Sequence, residues 1–533
     1  MNNTITVAEA YASATQCYDS GELGKAEALC RQIIAAQPQH ADALHLLGMI
    51  AYRAQHHEAA VRLYGRAIAL NGAAARYHGS LGNALLAMKR NSEAAQSFRR
   101  AIELQPTLAI AHYGLGQIEY NNNDFANAAR SFQAAIACAP NFSQAHSRYA
   151  NSLFQLGRVE EAVESYRRAV ALNPNDAMAY SNLGLALHDL GLVDEAIENC
   201  QRALALRPDF PAAHNNLSLA LLLKGDFAAG LPHHEWRWRV AGLRIGGRRF
   251  DQPAWRGEPL NGARILLHAE QGAGDTLQFL RYAPLVAARG GRVVIEVSPD
   301  LKRLATSVKD VEQVIGQGEP VPNFDQHCPF LSLPLAFGTT VATIPGEVPY
   351  LAAPEPLPAE WRARLPAGTG PRVGLIWAGR PEHRRDHERS IALAALAPLA
   401  DTGATFYALQ KGPAAAQAKT PPPGMVLHEL GESLTDFADT AAAMCALDLV
   451  ISVDTSPAHV AGAIGKPVWV LLTQGADWRW LLEREDSPWY PTARLFRQPK
   501  HGDWASAIAR VAAELRRYVA GDATALVPQK IAK

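Results

Sequence analysis

Residues of the same kind recur every 34 positions from the start of the chain to about residue 235, and a chain repeating at that interval folds as a stack of like units rather than around one central core. Pro38, Pro106, Pro140, Pro174 and Pro208 share one phase, with Gly72 in the remaining slot. Alanine holds a second phase at 26, 60, 94, 128, 162 and 196, and a third at 67, 101, 135, 169 and 203. A fourth carries Gly48, Gly82, Gly116, Ala150, Gly184 and Ser218. Small residues in register mark where two antiparallel helices approach closely, and the proline closes the second helix of each pair.

This pattern resembles the tetratricopeptide repeat. The resemblance implies six or seven helical hairpins in a right-handed superhelix, with a concave face that takes a peptide or protein. Two positions before the fourth phase stand Leu46, Ser80, Gly114, Arg148, Asn182 and Asn216. This half is also similar to that of the protein O-GlcNAc transferases, where an asparagine ladder clamps the acceptor backbone through the donor and acceptor of each amide. Asn182 and Asn216 are the two rungs that the resemblance implies for acceptor binding.

After Pro208 a last helical pair runs into Gly230-Leu231-Pro232 and then His233-His234-Glu235-Trp236-Arg237-Trp238. The two Trp cannot share one helix face and are expected to cover the open end of the array. Adjacent His residues point apart, so no metal site is expected there. The 533-residue chain should hold about three domains. Lys plus Arg equals Asp plus Glu at 51 each, which argues against nucleic-acid or membrane-surface binding driven by overall charge. No apolar run suits a membrane span, and the start, with Glu9 and no basic stretch, does not read as a signal peptide, so a cytoplasmic location is expected. The six cysteines lack paired spacing for zinc or a disulfide framework.

The remaining chain alternates strands and helices. Arg264 to Glu270 reads as a strand, Gln271-Gly272-Ala273-Gly274-Asp275 as a glycine-rich turn, and Thr276 to Ala288 as one helix before the strand Arg292 to Val297. Leu277 replaces the third glycine of a dinucleotide fingerprint and Asp275 would oppose a pyrophosphate, so no such cofactor is expected. Val311 to Ile315 and Pro329 to Leu335 read as further strands, and the Pro-rich stretch beyond them as a linker. Arg372 to Trp377 opens a second α/β region and empties into the charged loop 378–390, where Arg389 and Ser390 are candidate phosphate donors. Thr405 to Leu409 is a second strand there, and Leu434 to Cys445 a helix.

Leu447 to Leu472 reads as strand, turn, short helix and strand. Ser456 is expected to cap a helix starting at Pro457, so that Asp454 to His459 sit at the carboxyl edge of a sheet, where a helix start favours an anion. Trp478, Trp480 and Trp489 are expected mainly in packing.

Two Rossmann-like domains joined by a linker resemble the GT-B fold of glycosyltransferases. Gly272-Ala273-Gly274-Asp275 is similar to the first-loop motif of the ADP-heptose heptosyltransferases, which implies that Asp275 is the catalytic base. Asp454-Thr455-Ser456-Pro457-Ala458-His459 is similar to their Asp-Thr-Gly-Pro-x-His motif, with Ser456 in place of Gly, which implies donor binding by Asp454, Thr455, Ser456 and His459. Gln410 and Lys411 resemble a Gln and a Lys near the donor in O-GlcNAc transferases. The whole chain resembles the bacterial tetratricopeptide-repeat glycosyltransferases.

The resemblance implies residues 1–240 as the repeat superhelix, 241–262 as a connection, 263–352 as an acceptor-side domain, 353–370 as a linker, 371–522 as a nucleotide-sugar domain and 523–533 as a tail. The terminal helix 504–518 would pack back across the joint. The implied function is sugar transfer from a nucleotide diphosphate sugar to a hydroxyl, with no metal and no cofactor, on a protein or peptide acceptor. A heptosyltransferase-like reaction on a glycan or lipid, or a non-catalytic scaffold with a ligand-sensing domain, are the alternatives.

Overall fold

The computed structural model describes residues 6–240, 250–366, 368, 370–382, 386–526 and 528. It divides into two compact units, Met1–Ala186 and Leu187–Lys533. No helix among the described residues is long and apolar enough to cross a membrane. The stretch 241–249, which holds the basic run of the expected connection, and the last residues of the expected tail lie outside the described residues.

The first unit is built from paired helices. Val7–Asp19, Ala41–Arg53, Ala75–Ala87, Ala109–Asn121 and Ser143–Gln155 alternate with Leu23–Ala36, His57–Leu70, Asn91–Leu104, Phe125–Cys138 and Val159–Leu172. Each proline of the repeat stands just past the end of a second helix, where its ring prevents further winding. Ala26, Ala60, Ala94, Ala128 and Ala162 are all fully buried. The glycine phase has an aromatic partner. A Cβ on Gly48 would come within 2.6 Å of the Tyr64 ring, and one on Gly82 within 2.6 Å of the Phe98 ring. Tyr64, Phe98 and Phe132, each from a second helix, therefore fill the space left open by Gly48, Gly82 and Gly116 of the first.

The second unit begins with the last repeat helices. Val193–Leu206, Pro211–Lys224 and Phe227–His234 lead into a 3₁₀ segment, Glu235–Arg239. Trp236 stacks on His214 with centroids 3.8 Å apart, whereas Trp238 is 39% exposed, so the expectation that both Trp cover the end of the array holds for Trp236 and not for Trp238. Arg237 between the two Trp is fully buried.

Two parallel sheets follow. β1 (Arg264–His268), β2 (Arg292–Val297), β3 (Gln313–Gly316) and β4 (Gln326–Pro329) lie in the order β3-β2-β1-β4. β5 (Arg372–Ile376), β6 (Thr405–Ala408), β7 (Leu427–Glu429), β8 (Leu449–Val453), β9 (Val468–Leu472) and β10 (Ala493–Arg497) lie in the order β10-β9-β8-β5-β6-β7. Each sheet reverses its winding direction beside its first strand, β1 between β2 and β4 and β5 between β6 and β8. The loops after β1, β5 and β8 thus open at switch points, where α/β sheets take ligands.

Several expected elements differ. The helix after β1 is not continuous: Ala273–Phe279 is followed by a 3₁₀ turn and by Ala283–Ala288, because Pro284 has no N–H to continue the ladder. The fourth strand ends at Pro329, and Phe330–Ala336 is helical, so the expected strand from Pro329 to Leu335 is displaced toward Gln326. The helix Trp504–Val519 does not cross a joint. Its Ala507, Ile508, Val511, Ala512 and Leu515 pack into the core of the second sheet with Val373, Phe406 and Leu471.

Candidate functional site

The expected turn through Asp275 is already helical from Ala273, and this helix meets the helix after β8. A Cβ on Gly274 would lie 3.0 Å from His459 Cδ2 and 3.6 Å from Ser456 Cα, so a residue without a side chain is what allows the approach. Around this contact lies a cleft of about 780 Å³ whose walls include Gly272, Gly274, Asp275, Arg389, Asp454, Thr455, Ser456 and His459. Eight residues that the sequence places far apart are thereby brought together.

Gly272 is the N-cap of the helix Ala273–Phe279, and its N–H donates to Asp275 Oδ2 at 2.9 Å. Asp275 Oδ1 accepts from Arg479 Nη2 at 2.5 Å. Burial lifts the Asp275 carboxyl above its usual range, and Asp477 adds to the lift against the opposing pull of Arg479. Asp454 is also raised, by burial and by Asp477, with Arg389 opposing.

The helix after β8 starts at Ser456, not Pro457. Thr455 is its N-cap, in extended backbone and without a side-chain capping bond, and Pro457 falls within the first turn. The expected Ser456 cap is therefore corrected. Ser456 is the first helical residue, and its N–H precedes the hydrogen-bonded ladder. His459 Nδ1 lies 3.0 Å from the Tyr490 hydroxyl and its ring stacks on Trp480 at 5.4 Å. Burial pushes its imidazole down to about 3, so it is neutral at ordinary pH.

Of the expected loop 378–390, residues 383–385 lie outside the described residues; two polar side chains hold its start. Gln410 Oε1 accepts from the N–H groups of Trp377 and Ala378, and its Nε2 donates to the carbonyls of Ala378 and Lys411. Its amide is committed to holding the loop. Ser390 Oγ accepts from the Gly379 N–H at 2.9 Å, and the residue is not among those lining the cleft. Arg389 does line it, with Nη1 donating to the Asp454 carbonyl at 3.0 Å. Lys411 bonds the Leu434 carbonyl and lines a second cavity of about 470 Å³ beside β5 and β6. Arg380, Glu382, Thr455 and Ser456 line both cavities.

Four further residues of the cleft carry no motif. His234 contributes to the wall, with Nδ1 3.2 Å from Ser218 Oγ, and burial holds its imidazole well below the usual value. Glu270 Oε1 accepts from Arg237 Nε at 2.8 Å, and burial pushes its carboxyl up to about 7. Asp477 and Arg479 come from the loop after β9. In sequence the last two are visible only as the charges flanking Trp478. Trp480 and Trp489 are buried and serve packing, as expected, while buried Trp478 also forms part of the cleft wall. Among the described residues no group of three or more His, Cys, Asp and Glu is placed to hold a metal ion, and the six cysteines are all free.

The two asparagines are placed differently from the expected ladder. Asn182 Nδ2, in the first unit, donates to Asn151 Oδ1 at 3.1 Å. Asn216, in the second, is 9% exposed. The phase has no single environment: at the equivalent Gly114 a Cβ would meet the Phe98 ring at 2.3 Å, while Arg148 lines a cavity of about 390 Å³ in the first unit together with Lys89, Asn91, Gln117 and Asn121.

Residues 11–75, 45–109, 80–142 and 194–232 match the family described as tetratricopeptide repeat, as do 177–210, and residues 150–191 match the one described as TPR repeat. The first half of the chain is an array of tetratricopeptide repeats. The chain is 28% identical over 304 residues to Protein FlbA of Caulobacter vibrioides, a match covering 51% of this chain and 50% of that protein. It spans about half the length of this curated relative. Among solved structures, the APC/C hetero-tetramer Cut9-Hcn1 is similar at 17% identity and a TM-score of 0.38, over 41% of this chain and 44% of that one. PilW, described as a type IV pilus biogenesis factor, is similar at 17% identity and a TM-score of 0.36, over 41% of this chain and 100% of that one.

Proposed function

We propose that this protein is a GT-B-type glycosyltransferase that moves a sugar from a nucleotide diphosphate sugar to a hydroxyl, with a polypeptide as the acceptor bound by the repeats. The observation that carries this reading is the contact between Gly274 and the Ser456–His459 turn. It brings a carboxylate, Asp275, and a helix start into the lining of one cleft. The second cavity, sharing Thr455 and Ser456 with the cleft, suits the nucleoside end of such a donor.

In this reading the acceptor hydroxyl gives its proton to Asp275 as its oxygen bonds to the sugar's anomeric carbon, and the bond from that carbon to the diphosphate oxygen breaks. The electron pair leaves with the diphosphate. Arg380, Arg389 and the unpaired N–H at Ser456 offset the charge that develops there, the electrostatic task that dominates such a transfer. Neutral His459 adds a ring nitrogen without adding charge. The donor would be a co-substrate, and we propose turnover that persists in EDTA.

The test is incubation of the full-length protein with UDP-, GDP- and ADP-sugars, scoring release of nucleoside diphosphate and a mass shift on an acceptor polypeptide. Release with at least one donor is the expected result. The repeats over residues 11–232 also favour a second reading, a protein-binding scaffold whose α/β half senses a ligand. Donor binding seen as a thermal shift without any release would favour that reading.

A further inference from the structure

Arg479 lies in no motif, yet its contacts tie the two α/β halves of the cleft together. Its side chain is 6% exposed. One edge of the guanidinium donates to Asp275 Oδ1, and Nη1 donates to both oxygens of Asp477 at 2.8 and 2.9 Å. Its carbon lies 4.8 Å from the Trp478 ring centroid and 5.3 Å from that of Phe279. Those contacts fix the plane of the guanidinium and therefore the direction from which it meets Asp275.

Asp275 is held at both oxygens, by Arg479 on one and by the Gly272 N–H on the other. A carboxylate offers about four lone-pair sites, so two bonds orient it and leave acceptor capacity on each oxygen. We propose that Arg479 is the positioning residue for Asp275: it aims the carboxylate at the acceptor hydroxyl and, through its fixed charge, sets the pH above which transfer runs. This rests on the reading of Asp275 as the proton acceptor.

The groups around Asp275 show why a cation is needed there. The loop after β9 presents Asp477 as well as Arg479, the end of β1 presents Glu270, and the 3₁₀ segment presents Arg237. The strand end and helix after β8 add Asp454, which faces Arg479, and neutral His459, while the last repeat helix adds His234. Burial and Asp477 favour the protonated acid, which cannot accept the hydroxyl proton, and Arg479 is the strongest opposing influence. Lysine would keep the charge but, as a point donor, could not hold two carboxylates through two separate nitrogens as Nη1 and Nη2 of Arg479 do.

The experiment uses the full chain, a nucleotide sugar that the wild type turns over, and pH profiles from 5 to 9 for Arg479→Gln, Arg479→Lys, Asp275→Asn and the Asp275→Asn/Arg479→Gln pair. Arg479→Gln is expected to lower kcat about 10²-fold, the cost of a misaimed group. It should also move the acid limb of the profile upward by about one pH unit, since Asp275 loses its opposing charge, with donor KM changed little. Arg479→Lys should return the limb toward its place without restoring the rate. The pair should be no slower than Asp275→Asn alone. If Arg479→Gln fails to fold, Arg479→Lys and an Asp275→Asn/Arg479→Lys pair carry the test: the lysine variant should lose rate with the acid limb nearly in place, and its pair should be no slower than Asp275→Asn alone. An unmoved acid limb, or rate losses that multiply in the pair, would overturn the inference while leaving the transferase reading intact. A wild type that releases nucleoside diphosphate from no donor overturns that reading first, and this inference with it.

Discussion

The first unit and the cleft of the second are built on opposite principles. In the first, every important contact is repeated: Gly48 against Tyr64 and Gly82 against Phe98 are the same packing event one repeat apart. In the cleft nothing repeats, and Asp275 meets Arg479 across 204 residues. A repeated contact spreads stability over neighbouring units, so the loss of one is a local injury. A contact made once concentrates function in a few side chains, and its loss is felt in the chemistry rather than in the fold.

Five substitutions press on that difference. The largest expected effect is Asp275→Asn, which should cost roughly 10²–10⁴ in turnover by steady-state assay and leave the melting temperature nearly unchanged. Near-wild-type turnover would remove Asp275 from the mechanism and erase the contrast. Next, Phe98→Ala in the first unit should cost about 3–5 kcal/mol by denaturant titration, because the fully buried ring fills the gaps at both Gly82 and Gly114. Donor turnover should survive it under native conditions, and a parallel collapse of activity would show that the repeats and the cleft are not separable.

His45 provides the third. Burial pushes its imidazole down to about 4, so the folded chain holds it neutral. The stability this contributes is complete above the unfolded value of about 6.5 and is lost as pH falls from there toward 4. His45→Gln should flatten the fall in stability over that window by about 1–3 kcal/mol, read from denaturant midpoints at pH 7 and pH 4.5; an unchanged slope contradicts the assignment. Fourth, Asn182→Ala removes the bond to Asn151 and should cost about 0.5–1.5 kcal/mol. If polypeptide binding instead fell sharply with stability kept, the asparagine would be a binding rung after all. The smallest effect belongs to Ser456→Gly. Its side chain makes no capping bond, so donor affinity measured by calorimetry should stay within about twofold, or ~0.4 kcal/mol.

How much was legible in the sequence differs between the two regions for the same reason. The helix pairs announce themselves through period and small residues, since each segment packs against a neighbour of the same design. The strand-turn-helix-strand from Leu449 to Leu472 was legible as well, because apolar runs and the Gly465 and Pro467 stop act locally. The start of its helix was not. Ser456 and Thr455 are both plausible caps, and backbone dihedrals alone assign the role to Thr455. Likewise Asn182 and Asn216 stand in a recognisable phase, but whether that phase faces a groove or a neighbouring helix depends on how the helices are rotated in the stack.

Asp275, Thr455 and His459 could be found because each sits within a few residues of its motif partners. Arg479, Asp477, Glu270 and His234 could not, since their importance comes from facing those motifs in space. The amino-acid sequence by itself determined the repeat array, the parallel α/β regions and the loops that line the cleft, because hydrophobic period, helix stops and glycine turns are written in short stretches of chain. The tertiary structure alone decided which charges meet. The order of strands in each sheet sets which loops share a cleft, and inside it Asp275, Arg479 and Asp477 come within hydrogen-bonding distance and shift one another's ionisation.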